Sequence, residues 1–190
     1  GVAKNGHKIL FVSQNGQGKS TSVLRLFSEG WKYLSDDAVF LKYNNKRQVM
    51  ALSLTSELRL KKQNPILNKD SPYSLQKFFK RNNEEEDSYQ VNMVSLAPDR
   101  VIESFIPNLI FFCHLRRSRS SVLRPLKKTE ASLFLIRQSH FIFLGNKITN
   151  DEAGILFDLI NQTKSFILRI GRDIQDGRVK LSDLISHSAI

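Results

Sequence analysis

The sequence predicts an α/β fold with a mixed sheet, and three observations lead there. Short, continuously apolar runs alternate with stretches whose apolar residues recur at helical spacing. Two strand-like runs flank Asn44-Asn45 as a hairpin, which breaks strict alternation and calls for antiparallel pairing. The chain has 190 residues, 41% hydrophobic and 25% charged, with no internal repeat, enough for a single domain over 1-190 with its own core.

The elements follow in order. Lys8-Ile9-Leu10-Phe11-Val12 reads as a buried central strand, and Ser13-Gln14-Asn15-Gly16-Gln17-Gly18 as a turn. Val23, Leu24, Leu26 and Phe27 then mark one face of a helix of about ten residues, with Gly30 at its C-cap. Trp31 to Leu34 forms a short strand ending at Ser35-Asp36-Asp37. Ala38 to Leu41 and Val49 to Leu52 are the hairpin strands. Pro72 to Lys80 is expected to be a short helix, and the four consecutive acids of Arg81 to Ser88 mark an acidic loop near 82-89. Leu109 to Cys113 reads as a buried strand. Lys127 to Arg137 has Ala131, Leu133 and Phe134 at helical spacing. Thr149 to Glu152 matches a capping box opening a helix through Asn161, and Ser165 to Ile170 is the last strand.

Composition narrows the chemistry. Lys and Arg number 29 against 18 Asp and Glu, a net charge of +11 that favours an anionic partner. The single cysteine, Cys113, excludes an internal disulfide framework and a Cys-rich zinc site, and it reads as a small buried hydrophobe. His7, His114, His140 and His187 have no metal-ligand spacing. No apolar stretch reaches the length of a membrane span, and Gly1 to Lys4 does not open a signal peptide, so a cytoplasmic protein without a membrane span is expected. The start without methionine suggests a fragment lacking its N-terminal part.

The most specific signal is Gly16-Gln17-Gly18-Lys19-Ser20-Thr21 between a strand and a helix. Glycines let backbone N–H groups approach phosphate oxygens, and the helix N-terminus adds positive potential. Ser13, Asn15, Gly16, Gln17, Gly18, Lys19, Ser20 and Thr21 would form the nucleotide cradle, with Lys19 on the β/γ-phosphates and Ser20 on Mg²⁺. Ser13 stands where the full pattern has its first glycine. Asp36-Asp37 follows the next strand, and such a carboxylate pair can divide the work of metal ligand and general base.

Together, Gly16 to Thr21 and Gly30-Trp31-Lys32-Tyr33-Leu34-Ser35-Asp36-Asp37, seventeen residues from Lys19 to Asp36, resemble the catalytic domain of the HPr kinase/phosphorylase family. The resemblance is firm over about residues 8 to 42 and looser over Leu109 to Pro125, Ala131 to Leu135 and Ile167 to Asp173. It implies a P-loop core similar to phosphoenolpyruvate carboxykinase, with ATP and Mg²⁺ as cofactors. It also implies Asp36 as the base accepting the substrate proton, and Ser20 and Asp37 as metal ligands. The family's catalytic histidine would lie about where this chain begins, and the glycine-rich signature loop of HPr kinases is missing. That puts HPr as substrate and phosphorylase activity in question. Some relatives phosphorylate a serine on a small peptide, such as a lasso-peptide precursor. HPr kinases form hexamers and relatives need not, so a homo-oligomer stays open.

His114 to Lys128 carries six Lys or Arg and no acid. It reads either as a solvated loop or as an element that closes on a triphosphate or holds an acidic peptide, with Arg117 and Arg124 as the contacting residues and candidate catalytic groups. The expected function is a kinase acting on a serine or threonine of a peptide or small protein. The alternatives are a non-catalytic regulatory nucleotide-binding module and a small-molecule kinase. A basic nucleic-acid-binding domain is remote, because Phe111 and Phe112 sit inside a strand and offer no stacking platform.

Overall fold

A computed structural model describes residues 1–62, 64, 80–81, 88–138 and 150–187. In chain order the elements begin with β1 (Val2–Lys4), β2 (His7–Val12), α1 (Lys19–Ser28), β3 (Lys32–Tyr33), β4 (Val39–Tyr43), β5 (Val49–Ser53) and β6 (Glu57–Lys61). Next come β7 (Lys80–Arg81), β8 (Ser88–Asn92), α2 (Met93–Leu96), β9 (Ser104–Phe105), β10 (Leu109–Leu115) and β11 (Val122–Pro125). The chain continues through α3 (Lys128–Gln138), α4 (Asn150–Gln162), β12 (Lys164–Ile170), α5 (Arg172–Gln175) and α6 (Leu181–His187).

The main sheet has six strands in the order β11-β12-β10-β2-β1-β3. β2, β10 and β12 are mutually parallel, whereas β1 and β11 run antiparallel to their neighbours, so the expected mixed sheet is present. β10 is apolar at every position from Leu109 to Cys113 because both sheet faces are covered. Leu109, Phe111 and Cys113 join one core with α1, β6 and α6, and Ile110 and Phe112 join the other with α3, α4 and β5. Phe111 anchors the first core, edge-on to both Phe11 and Phe166.

α1 buries Val23, Leu24, Leu26 and Phe27 as its spacing demands. It ends where glycine is required: Gly30 has φ 88, its N–H donates to Phe27 O at 3.1 Å, and the Trp31 N–H reaches Leu26 O at 3.0 Å. Trp31 is buried in the core. The β4–β5 hairpin closes over 44–48, where Asn44 Oδ1 accepts from the Lys46 and Gln48 amides and Arg47 takes φ 58.

Several expectations change. In α3 the buried residues are Ala131 and Leu135, while Leu133 is 60% exposed. Leu133 lies about 200° round the helix from Ala131, whereas Leu135 is one turn on and shares its face. β1 was not anticipated, although Asn5-Gly6 is a strong two-residue hairpin signal and both residues adopt positive φ (48 and 82). The sheet β6-β8-β7 and the edge strand β11 were also unforeseen. Lys80 belongs to β7, while Pro72 to Phe79 of the expected helix lie outside the described residues. So do residues 82–87 of the acidic loop and Thr149 of the capping box; Ser88 and Tyr89 begin β8.

Candidate functional site

β2 delivers the chain into the Ser13–Gly18 turn at the C-terminal edge of the parallel strands, where open α/β sheets place ligands. Gly16 and Gly18 take φ 78 and 91. A Cβ on Gly16 would meet nothing within 4 Å, so its glycine serves backbone conformation alone. At Gly18 the conformation and the space agree, since a Cβ would lie 3.0 Å from Ile170 Cδ1. Ser13 is not among the positive-φ residues, so a serine in place of the first pattern glycine carries no backbone penalty. Lys19 Nζ folds back over the turn, donating to Ser13 O at 2.6 Å and Gln14 O at 3.1 Å. Gln17 Oε1 accepts from the Leu115 N–H at 3.1 Å and ties the turn to the end of β10. Thr21 Oγ1 accepts from Asn64 Nδ2 at 2.7 Å, and Asn15 is exposed.

β3 pairs with β1, not with β2, so Asp36 arrives one strand further out than direct pairing beside the turn would place it. It still reaches the turn. Asp36 is only 6% exposed; its carboxylate accepts from the Arg59 amide at 3.4 Å and lies near Ser20 at the start of α1. The Arg59 contact exists because Tyr33 Oη donates to Glu57 O at 2.9 Å, anchoring β3 beneath β6. Burial pushes the Asp36 carboxyl above the ordinary carboxylate range, against the pull of nearby Ser20. Asp37 sits differently. It is exposed, has φ 65, and tops a three-residue turn closed by the Ala38 N–H on Asp36 O at 2.8 Å. Adjacent in sequence, the two carboxylates thus occupy a buried and a solvated environment, and it is Asp36 that meets Ser20.

The basic segment is fixed in place. The Arg116 N–H donates to Ile170 O at 2.9 Å, the Arg172 N–H to Ser118 O at 2.9 Å and the Asp173 N–H to Arg119 O at 3.1 Å. The Asp173 carboxylate accepts from the Ser121 amide (2.8 Å) and hydroxyl (2.5 Å) and from the Ile174 amide (2.7 Å). A Cβ at Gly171 would stand 2.6 Å from the Ser120 carbonyl carbon, so the two loops meet as closely as glycine permits. This contact brings Arg117 beside Gly16 and Gln17 at a cleft of about 380 Å³. Arg124 is not brought there. It is exposed on β11 opposite Ile167, and three strand spacings, about 14 Å, separate that position from β2.

Sequence reasoning missed Arg116, Arg172, Asn64 and the Arg59 amide. Arg172 was findable as the residue after the last parallel strand, at the edge that carries the turn. Cys113 is buried and its thiol is pushed up to about 12 by burial, as befits a core residue. Among the described residues no three His, Cys, Asp or Glu cluster as a metal site, and no helix is long and apolar enough to cross a membrane.

No protein-family model matches the chain, and no curated protein matches it. Among solved structures it is similar to the Hpr(Ser) kinase/phosphatase from Coxiella burnetii, at 11% identity with a TM-score of 0.46, over 97% of this chain and 89% of that one.

Proposed function

We propose that the chain is an ATP- and Mg²⁺-dependent kinase that transfers the γ-phosphoryl group to a serine or threonine hydroxyl of a peptide or small protein. The observation that carries this reading is the buried Asp36 carboxylate near Ser20, at a glycine turn whose lysine donates to its own loop carbonyls. Two groups of opposite task, a hydroxyl that can lend its lone pairs and a carboxylate that can take a proton, meet where phosphates would sit.

The residues fit a hard cation, because the Ser20 hydroxyl and the exposed Asp37 carboxylate are oxygen donors. Mg²⁺, when bound, would neutralise charge on the transferred group and its leaving oxygen. Lys19 swings from Ser13 and Gln14 onto the β/γ-phosphates, with Gly16, Gly18 and the first turn of α1 offering backbone N–H groups. The acceptor oxygen bonds to the γ-phosphorus as the bond to the ADP oxygen breaks, and the hydroxyl proton passes to Asp36. Burial raises that carboxylate's proton affinity, the direction a general base requires.

Incubation with γ-labelled ATP, Mg²⁺ and pooled serine- and threonine-containing peptides tests the reading. Label on peptide supports it. Tight Mg-ATP binding without transfer contradicts it and favours a non-catalytic nucleotide-binding module.

A further inference from the structure

Beside the glycine turn, on the side away from the Ser20–Asp36 pair, lies the cleft of about 380 Å³. Gly16 and Gln17 form one wall; Arg116, Arg117, Arg172 and Gln175 form the other. No carboxylate lines it. Among the described residues, no ion pair joins Arg116, Arg117 or Arg172 to a carboxylate. The nearest acid in sequence, Asp173, is occupied by Ser121 and Ile174.

The backbone under these arginines is also held. Arg116 and Arg172 are bound through their amides to Ile170 and Ser118, and Gln175 Nε2 lies 3.4 Å from both Arg116 O and Ile170 O. Like charges brought to one wall of a cleft on a fixed scaffold repel one another unless an anion enters. Guanidinium forks match tetrahedral oxyanions through paired N–H donors.

We propose that Arg116, Arg117 and Arg172 form an oxyanion site for a phosphoryl group, beside the Gly16–Gln17 edge of the cradle and distinct from the position that Lys19 serves. The phosphoryl group comes either from a free or acceptor-borne phosphate or from the nucleotide itself. The site follows from the cleft and its charge and does not depend on phosphoryl transfer.

The test measures binding of inorganic phosphate and of Mg-ATP, each alone, by calorimetry at fixed ionic strength. The proteins are the intact chain, the double variant Arg117→Ala/Arg172→Ala, Lys19→Ala, and the control Lys42→Ala/Lys46→Ala. The control removes the same charge from the exposed β4–β5 hairpin. Arg117 and Arg172 are exposed, so the double variant should keep its fold, which its melting curve verifies.

The expected result is a loss of phosphate affinity of at least about tenfold in the arginine variant, with binding retained in Lys19→Ala and in the control. Should phosphate alone fail to bind while Mg-ATP weakens about tenfold in the arginine variant and not in the lysine control, the site stands and its oxyanion belongs to the nucleotide. Unchanged affinity for both ligands in the arginine variant, or an equal loss in the control, overturns the site. Lys19→Ala with unaltered Mg-ATP affinity would instead refute the nucleotide cradle and leave this result untouched.

Discussion

Asp173→Asn probes the contact that places the arginines. In the native protein this carboxylate accepts three hydrogen bonds, from the Ser121 amide, the Ser121 hydroxyl and the Ile174 amide. Asparagine keeps one acceptor oxygen and turns an NH₂ toward the remaining donors, so at least one bond to a charged acceptor disappears. Such bonds contribute about 1.5–3 kcal/mol each. Because the site is partly exposed, water recovers part of that, and a net loss of about 2 kcal/mol is expected.

The acid dependence supplies a second readout. Burial raises the Asp173 carboxyl, but the hydrogen bonds from Ser121 and Ile174 outweigh it and hold the group below the usual carboxylate range. A depressed native pKa stabilises the fold fully above the unfolded value near 3.9, and that contribution is lost as pH falls through the lower native value. Urea unfolding at several pH values from 7 to 3 should therefore show the variant weaker at neutral pH, with the gap closing toward pH 3. A loss under about 0.5 kcal/mol at pH 7, or parallel acid limbs, would refute the reasoning.

Three further outcomes follow from the same geometry. Gly18→Ala should cost about 1–2 kcal/mol for its left-handed backbone plus a contact with Ile170, whereas Gly16→Ala costs the backbone part alone. Equal melting shifts would contradict that difference. Cys113 should resist a thiol reagent in the folded protein and react once urea unfolds it, since the thiol is 2% exposed and held protonated; prompt native reaction would exclude its core placement. Asp36→Asn should flatten the loss of stability on the alkaline side of the carboxylate range. A raised native pKa favours the fold below the unfolded value, and that benefit fades as pH rises through the native one. An unchanged pH–stability profile would show Asp36 to be well solvated.

The legible parts of the fold were those specified by neighbours in sequence. β2, the glycine turn, α1 and its Gly30 stop form one local unit, and the Asn44 turn closes its own hairpin. β10 announced burial on both faces through five consecutive apolar residues. What escaped reading depends on distant partners. β6 has a plain alternation at Leu58 and Leu60, yet its strand character rests on β8, about thirty residues on. β11 is four residues long, ends in proline, and is a strand because β12 offers an edge. The site shows the same division. The glycine turn and Asp36 were readable, while the grouping of Arg116 and Arg117 with Arg172 arises from the parallel register of β10 and β12. The antiparallel pairing of β11 with β12 carries Arg124 away. The separate environments of Asp36 and Asp37 come from one turn with φ 65, which two adjacent aspartates do not reveal in sequence.

In the proposed function, Ser20, Asp36 and Lys19 form a phosphoryl-transfer site. Its most direct measurement is the rate of γ-phosphoryl transfer from Mg-ATP to an acceptor peptide in the intact chain, Lys19→Ala and Asp36→Asn, with Mg-ATP affinity measured alongside. Expected are transfer by the intact chain, a fall of about 100-fold or more in Asp36→Asn at near-normal nucleotide affinity, and loss of both transfer and affinity in Lys19→Ala. Transfer at the intact chain's rate in Asp36→Asn, or no transfer by the intact chain despite Mg-ATP binding, would contradict it.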